Sequence, residues 1–263
     1  MESKMALSKR AKGAIWIIVA VIIGIPILLF LVVLLRLDSI VRIGVEVGGT
    51  RALGVETTLK SANVSLMGRS ITLKGLDVAN PKGFTSPSFF KADLIGVSAE
   101  VGALRKKEIH LYAVQLEGPE IAYELARPKS NVAALMDNLN ANQQAPKPGG
   151  EKGTEVTLKI DRLTISDAKV HVVAFSKPLD VSLGTVVINN LDDGHGGGIP
   201  PDQVLSAVLR SLTNSITDQV KGLPSSITKD ILPNVEKEAG GLGENLKNTG
   251  ESIGSKIKKL FGN

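Results

Sequence analysis

The chain is 263 residues long, 43% apolar and without a cysteine, which excludes an intrinsically disordered protein, a disulfide framework and thiolate metal sites. Its formal net charge of +5 is concentrated at the start: setting aside the four basic residues Lys4, Lys9, Arg10 and Lys12 and the one acid Glu2 leaves 27 basic and 25 acidic residues. The remainder has no electrostatic footprint for nucleic acid, and no basic patch with interleaved aromatics occurs.

The first predicted element is a membrane span. From Ala14 to Leu35 the run AIWIIVAVIIGIPILLFLVVLL carries no charge in twenty-two residues; at about 1.5 Å each these reach roughly 33 Å, enough for a bilayer core. A cleaved secretory signal is the rival reading, but its apolar part would be shorter and a small-residue cleavage site would follow. Arg36, Leu37 and Asp38 stand there instead. The expectation is an uncleaved single span over 14–36, kinked at Pro26, with residues 1–13 held in the cytoplasm by their basic charge and the rest of the chain outside.

Residues 37–191 read as one β-rich domain. From about Val45 onward apolar residues alternate with polar ones, as Ile71 and Leu73, Ile109 and Leu111, and Val156, Leu158 and Ile160 do; that is a sheet with one apolar and one polar face. Turn chemistry marks the breaks at Met67-Gly68-Arg69, Asn80-Pro81-Lys82-Gly83, Gly118-Pro119, Asp167-Ala168 and Ser176-Lys177-Pro178. Short connections predict a curved, mainly antiparallel meander of about eight or nine strands, some 40 Å across if about 4.8 Å separates neighbours. One helix interrupts it, where Val132, Leu135, Met136 and Leu139 recur at helical spacing behind an Asn131 cap. A polar linker over 140–154 follows.

Residues 192–232 read as a loop and an amphipathic helix, with Val204, Val208, Leu212, Ile216 and Val220 four apart beside Leu205 and Leu209. The tail over 233–263 is rich in Gly and Lys. Its Lys256, Lys258, Lys259 and Phe261 suit an interfacial membrane contact, with a solvated tail as the plain alternative.

An anchor followed by ITLKGLDVANPKGF, FFKADLIGVSAEVGAL, IHLYAVQLEGPEIAYEL and SNVAALMDNL resembles the bacterial AsmA-like family. Gly75, Leu76, Asn80, Pro81, Gly83, Phe84, Ala92, Asp93, Gly118, Pro119 and Asn131 match its recurring pattern, over roughly residues 55 to 191. The resemblance implies an inner-membrane anchor, a β-rich periplasmic part related to bridge-like lipid transporters, and a role in lipid movement or envelope maintenance. The chain departs from the large members in its shortness and in ending on a helix.

Two fates are open for the apolar sheet face, because a closed core and an acyl-chain groove both want Val, Ile and Leu at alternate positions. Candidate groove-lining residues are Leu73, Leu76, Leu94, Val97, Leu111, Val114, Leu116, Leu158 and Ile160. Asn80, Pro81, Gly83 and Phe84 read as a structural corner, with Phe84 plugging the end of the apolar face. No enzyme is expected and no cofactor. His110 and His171 sit in alternating strands, and His195 with Asp192 and Asp193 stands in a glycine loop without further metal ligands. The favoured function is an envelope protein that binds or helps transfer lipids, with membrane, phospholipid acyl chains, and other envelope proteins or a second copy as partners. The alternative is a non-catalytic assembly factor with a closed β core whose C-terminal helix binds another envelope protein.

Overall fold

A computed structural model describes residues 36–100, 108–126, 129–144, 156–174 and 177–223, with residues 23, 25, 228, 233 and 236. Apart from Ile23, Ile25 and Arg36, which are helical, the predicted span over 14–36 lies outside the described residues, as do the chain from 145 to 155 and Lys256, Lys258, Lys259 and Phe261. Among the described residues no helix is long and apolar enough to cross a membrane.

The fold is mainly β, a curled open sheet in half-barrel form with helices α1 (residues 36–53), α2 (Asn131–Gln144) and α3 (Pro201–Lys221). Its strands are β1 (Thr57–Ser65), β2 (Ser70–Ala79), β3 (Ser88–Ala99), β4 (Glu108–Glu117), β5 (Glu120–Ala126), β6 (Lys129–Ser130), β7 (Thr157–Ser166), β8 (Lys169–Ala174), β9 (Lys177–Ser182) and β10 (Val186–Leu191). Several of these join end to end. One register carries β3 across both β4 and β5, from Val97↔Val114 through Ile95↔Leu116 to Phe90↔Ile121. A parallel register carries β4 and β5 onto β7 and β8, as Leu116↔Ile165 and Ile121↔Val170. Similarly β10 and β9 lie along β7 and β8 as Val186↔Ile165 and Val181↔Val170.

Ten strands therefore fill six positions, in the order β1, β2, β3, β4/β5, β7/β8 and β9/β10, with β6 a short partner of β5. The width is about 24 Å between outer strands at about 4.8 Å spacing, narrower than a meander of separate strands would be. The meander reading also needs one correction: the join between β4/β5 and β7/β8 is parallel. Parallel neighbours require a crossover, and the segment carrying α2 supplies it.

Gly118-Pro119 and Asp167-Ala168 are not chain reversals. The ladder runs through them, with the Gly118 N–H donating to Ser166 O, Lys169 N–H to Pro119 O and Leu183 N–H to Ala168 O, each at 2.8 Å. The constant registers place Lys60, Gly75, Asp93, Gly118, Asp167 and Gly184 in one row across the sheet. Three of them hold left-handed backbone: Gly75 at φ 62°, Gly118 at 59° and Asp167 at 53°. Residues three apart in a strand normally face opposite sides. Here Leu59 and Ala62, Ala92 and Ile95, Ile165 and Ala168, and Leu183 and Val186 are all buried pairs. The row is a transverse crease at which every strand resets its alternation, so the sheet bends while its apolar residues stay inside.

Helix α1 seals the free edge of β1. Asp38 Oδ1 accepts the Val64 N–H at 2.7 Å, Glu46 Oε1 the Leu59 N–H at 3.0 Å and Thr50 Oγ1 the Thr57 N–H at 3.0 Å. An edge strand with its donors satisfied offers little template for another chain. Glu46→Ala is expected to destabilise the protein by about 1 kcal/mol and to speed amide exchange at Leu59 while leaving Tyr123 slow; equal rates at Leu59 in both proteins would contradict the sealing role.

The helices are tied to one another by polar side chains. Gly54 ends α1 at φ 67°, and its N–H donates to Thr50 O. Asn138 Nδ2 then donates to Leu53 O at 2.8 Å, and Asn142 Nδ2 to Arg51 O at 2.7 Å and Ala52 O at 3.0 Å. That work keeps α2 helical through Gln144, into what the sequence suggested was linker from residue 140. The cap also shifts by one residue: Ser130 Oγ accepts the Ala133 N–H at 3.1 Å, and Asn131 serves elsewhere. Helix α3 lies over β7, β9 and β10 and against α2. It buries Val204, Leu209, Leu212, Ile216 and Val220. Its buried Ser206, Thr213 and Thr217 hydroxyls donate to the carbonyls of Asp202, Leu209 and Thr213, one turn back.

Candidate functional site

The inner, apolar face of the half-barrel is the site to consider. Cross-strand rows run the full width of the sheet: Val64, Ile71, Val97, Val114, Leu163 and Ile188 form one, and Ala62, Leu73, Ile95, Leu116, Ile165 and Val186 the next. The Asp38 contact to Val64 and the Thr50 contact to Thr57 orient the sheet relative to α1. The end holding Val64, Leu111 and Leu158 is near the start of α1; the end holding Val78, Tyr123 and Val172 is far from it.

The two ends differ in closure. At the far end Ile121, Tyr123, Val170, Val172, Leu135, Leu139, Ile216 and Val220 are all at most 2% exposed, where α2 and α3 pack over the sheet, while Phe90 and Leu179 at that end are partly buried. Around the near end and along β2 the apolar residues are only half-buried: Val64, Ile71, Leu73, Leu76, Leu111, Leu158 and Ile199 on the sheet side, with Leu205 and Val208 on α3. These side chains form the less closely covered margin of the apolar face.

Of the predicted lining residues, Leu73, Leu76, Leu111 and Leu158 lie in this margin. Val97, Val114, Leu116 and Ile160 face the same side but are buried in the core. Leu94 does not join them. It is 49% exposed on the outer face, because the crease at Asp93 puts Ile95, not Leu94, inward. Members outside the candidate set are Val64, Ile71, Ile199, Leu205 and Val208 in the margin and Ile95 in the core; for Ile95 a spacing of three from Ala92 was the available signal.

The Asn80 corner is tied down by a carboxylate. Glu124 is buried at 3% exposure, yet it accepts from Asn80 Nδ2 at 2.8 Å, the Thr85 N–H at 2.8 Å, Thr85 Oγ1 at 2.7 Å and the Ser86 N–H at 2.6 Å. Asn131, fully buried, completes the network: its Nδ2 donates to Asn80 Oδ1 and Ala122 O, and its Oδ1 accepts the N–H groups of Glu124 and Val132. Burial pushes the Glu124 pKa up, but the hydrogen bonds from Ser86 and Thr85 together outweigh it and hold the carboxyl below its usual range. Pro81 is buried, and Gly83 adopts φ 97° as a turn requires. Phe84 is half-buried beside a cavity of about 640 Å³ shared with Gly54 and Asn138. Phe89, 4% exposed, lies within the core.

The outer face is polar. Lys91, Glu120, Lys169 and Ser182 form a cross-strand row, and His110 Nε2 lies 2.8 Å from Asp161 Oδ1. In the glycine loop, Asp193 is engaged by backbone: N–H donation from His195 and then Gly197 holds its carboxyl below the usual range. Among the described residues no three His, Asp or Glu side chains converge on a metal position.

A family model for the AsmA family matches residues 8–175. The chain belongs to the AsmA family. The match covers well over half the sequence, from before the apolar run to the end of β8; β9, β10 and α3 follow it. AsmA membership is consistent with an envelope- and lipid-related role. No curated protein and no solved structure matches the chain.

Proposed function

We propose that this AsmA-family protein is anchored in a bacterial inner membrane by the run over 14–36, N-terminus inside and the bulk of the chain periplasmic, and that it takes lipid acyl chains into the half-barrel to move them or maintain the envelope. The observation that carries the reading is uneven burial of the apolar face: Ile121, Tyr123, Val170 and Val172 are at most 2% exposed, whereas Val64, Ile71, Leu111 and Leu158, at the end where Asp38 of α1 holds Val64, are only partly buried. An anchor so placed turns the open end toward the bilayer.

The energetics suit exchange rather than storage. Burying about ten methylenes from water is worth about 8 kcal/mol, but the same chain is equally well buried in a bilayer, so transfer between bilayer and groove is close to balanced. Six sheet positions do not span a periplasm, and onward movement would need other envelope proteins or further copies.

The assembly-factor reading draws on the closed far half of the core. Its C-terminal helix is the weaker part, since α3 turns its apolar side chains onto β7, β9 and β10 and presents Asn214, Asp218, Gln219 and Lys221 to solvent. The test is mass spectrometry of phospholipid retained by the full chain after transfer from detergent to amphipathic polymer, beside the double variant Ile71→Glu, Leu111→Glu. Lipid held by the parent and lost by a folded variant is the expected result. Equal retention by both would remove the groove and favour the assembly factor.

A further inference from the structure

The most exposed apolar side chain among the described residues is Met67, with relative exposure of 101%, and its neighbour Leu66 is 41% exposed. Both sit in the turn between β1 and β2. The turn is a defined one: Ser65 Oγ accepts the Gly68 N–H at 3.1 Å, Arg69 holds left-handed backbone at φ 48°, and Arg69 O accepts the Ala99 N–H at 3.0 Å. A well-held turn with an apolar tip and an adjacent arginine has the chemistry of an interfacial contact, apolar side chains toward acyl chains and a cation at phosphate level.

Its position relative to the apolar run selects the occupant. The hydrogen bond from Val64 N–H to Asp38 Oδ1 pins the base of the turn to α1 two residues after Arg36. From Val64 to Met67 the chain extends at most about 10 Å, whereas α1 needs only about 3 Å to go from Asp38 back to Arg36, the residue that follows the charge-free run in sequence. The tip is therefore within reach of the level of Arg36. Val156, 45% exposed at the start of β7, lies at the same end of the sheet.

We infer that the β1–β2 turn dips into the lipid surface beside the anchor, with Leu66 and Met67 in the acyl boundary and Arg69 at the headgroup phosphates. This second membrane contact fixes the tilt of the half-barrel and holds its open end against the bilayer. It rests on the membrane-anchor reading given above, and the experiment separates the two.

The chain contains no cysteine, so Met67→Cys gives a single labelling site at a position where no packing is lost. The full chain, labelled there with an environment-sensitive nitrobenzoxadiazole dye, is reconstituted in vesicles of phosphatidylethanolamine and phosphatidylglycerol with or without acyl-brominated phosphatidylcholine. Ile23→Cys, within the run, and Lys82→Cys, in the far-end corner, are labelled in parallel. A blue-shifted emission at positions 67 and 23 that brominated lipid largely quenches, with no quenching at 82, is the expected result. Quenching at 23 but not 67 would overturn the turn contact while leaving the anchor standing, and a blue shift at 67 without quenching would do so in favour of a protein partner. No quenching at 23 would remove the anchor and this proposal with it, and equal quenching at 82 would overturn the orientation.

Discussion

Glu124→Leu is expected to destabilise the protein by about 3–5 kcal/mol, because each buried donor left without its acceptor costs about 1–3 kcal/mol and part of that is recovered by relaxation. Leucine is close in volume, so the loss does not come from a cavity. It comes from four donors left facing an apolar side chain: Asn80 Nδ2, the Thr85 and Ser86 N–H groups and Thr85 Oγ1. The corner between β2 and β3 would lose its tie to β5, and the change should appear as a lower urea midpoint with a similar slope. The pH dependence follows from the same contacts. Because the folded carboxyl titrates below its unfolded value of about 4.3, its stabilisation is fully present above that value and is lost as pH falls through the folded value. Glu124→Gln should flatten this acid limb of the stability profile. A steep acid limb unchanged in the Gln variant would show that other carboxylates set it.

Gly75→Val is expected to be the most damaging change in the crease, at about 2–4 kcal/mol. Left-handed backbone alone costs a non-glycine residue about 1–2 kcal/mol, and a Cβ here would stand 2.9 Å from Lys60 Cβ, a contact at the root of a side chain that only backbone movement relieves. Gly118→Val, at φ 59° with nothing within 4 Å of its Cβ, separates the two causes and should cost only the backbone part. Gly184→Ala completes the row as a control: it has open space and no left-handed φ, so thermal unfolding should shift little. Equal losses at all three positions would mean that the crease owes nothing to left-handed backbone.

The strands themselves were legible, because Val, Ile and Leu alternate with polar residues wherever a face is buried. What local pattern could not distinguish was a turn from a kink. Gly118-Pro119 has turn chemistry, yet the chain continues in register, a fact decided by partners as distant in sequence as Ser166. That one ambiguity widened the expected sheet and hid the parallel join, and the same crease, crossing β3 at Asp93, turns Leu94 outward and Ile95 inward. The Glu124 network was invisible for a related reason. The second glutamate in EIAYEL reads as the solvent-facing member of an alternation, and only the return of residues 80–86 onto β5 buries it. The apolar margin was half legible: Leu73, Leu76, Leu111 and Leu158 follow from alternation, whereas Ile199 and Val208 reach it through the path of the chain into α3.

The central claim is that lipid enters one end of the half-barrel and not the other. The most direct measurement is photo-crosslinking of the full chain in native phospholipid, with benzoylphenylalanine placed in turn at Leu73 and Leu158 in the half-open margin, at Leu139 in the sealed far end, and at Leu94 on the outer face. Lipid adducts at 73 and 158, with none at 139 or 94, are expected. Adducts absent from 73 and 158, or equally abundant at 94, would contradict an acyl groove and leave a closed core.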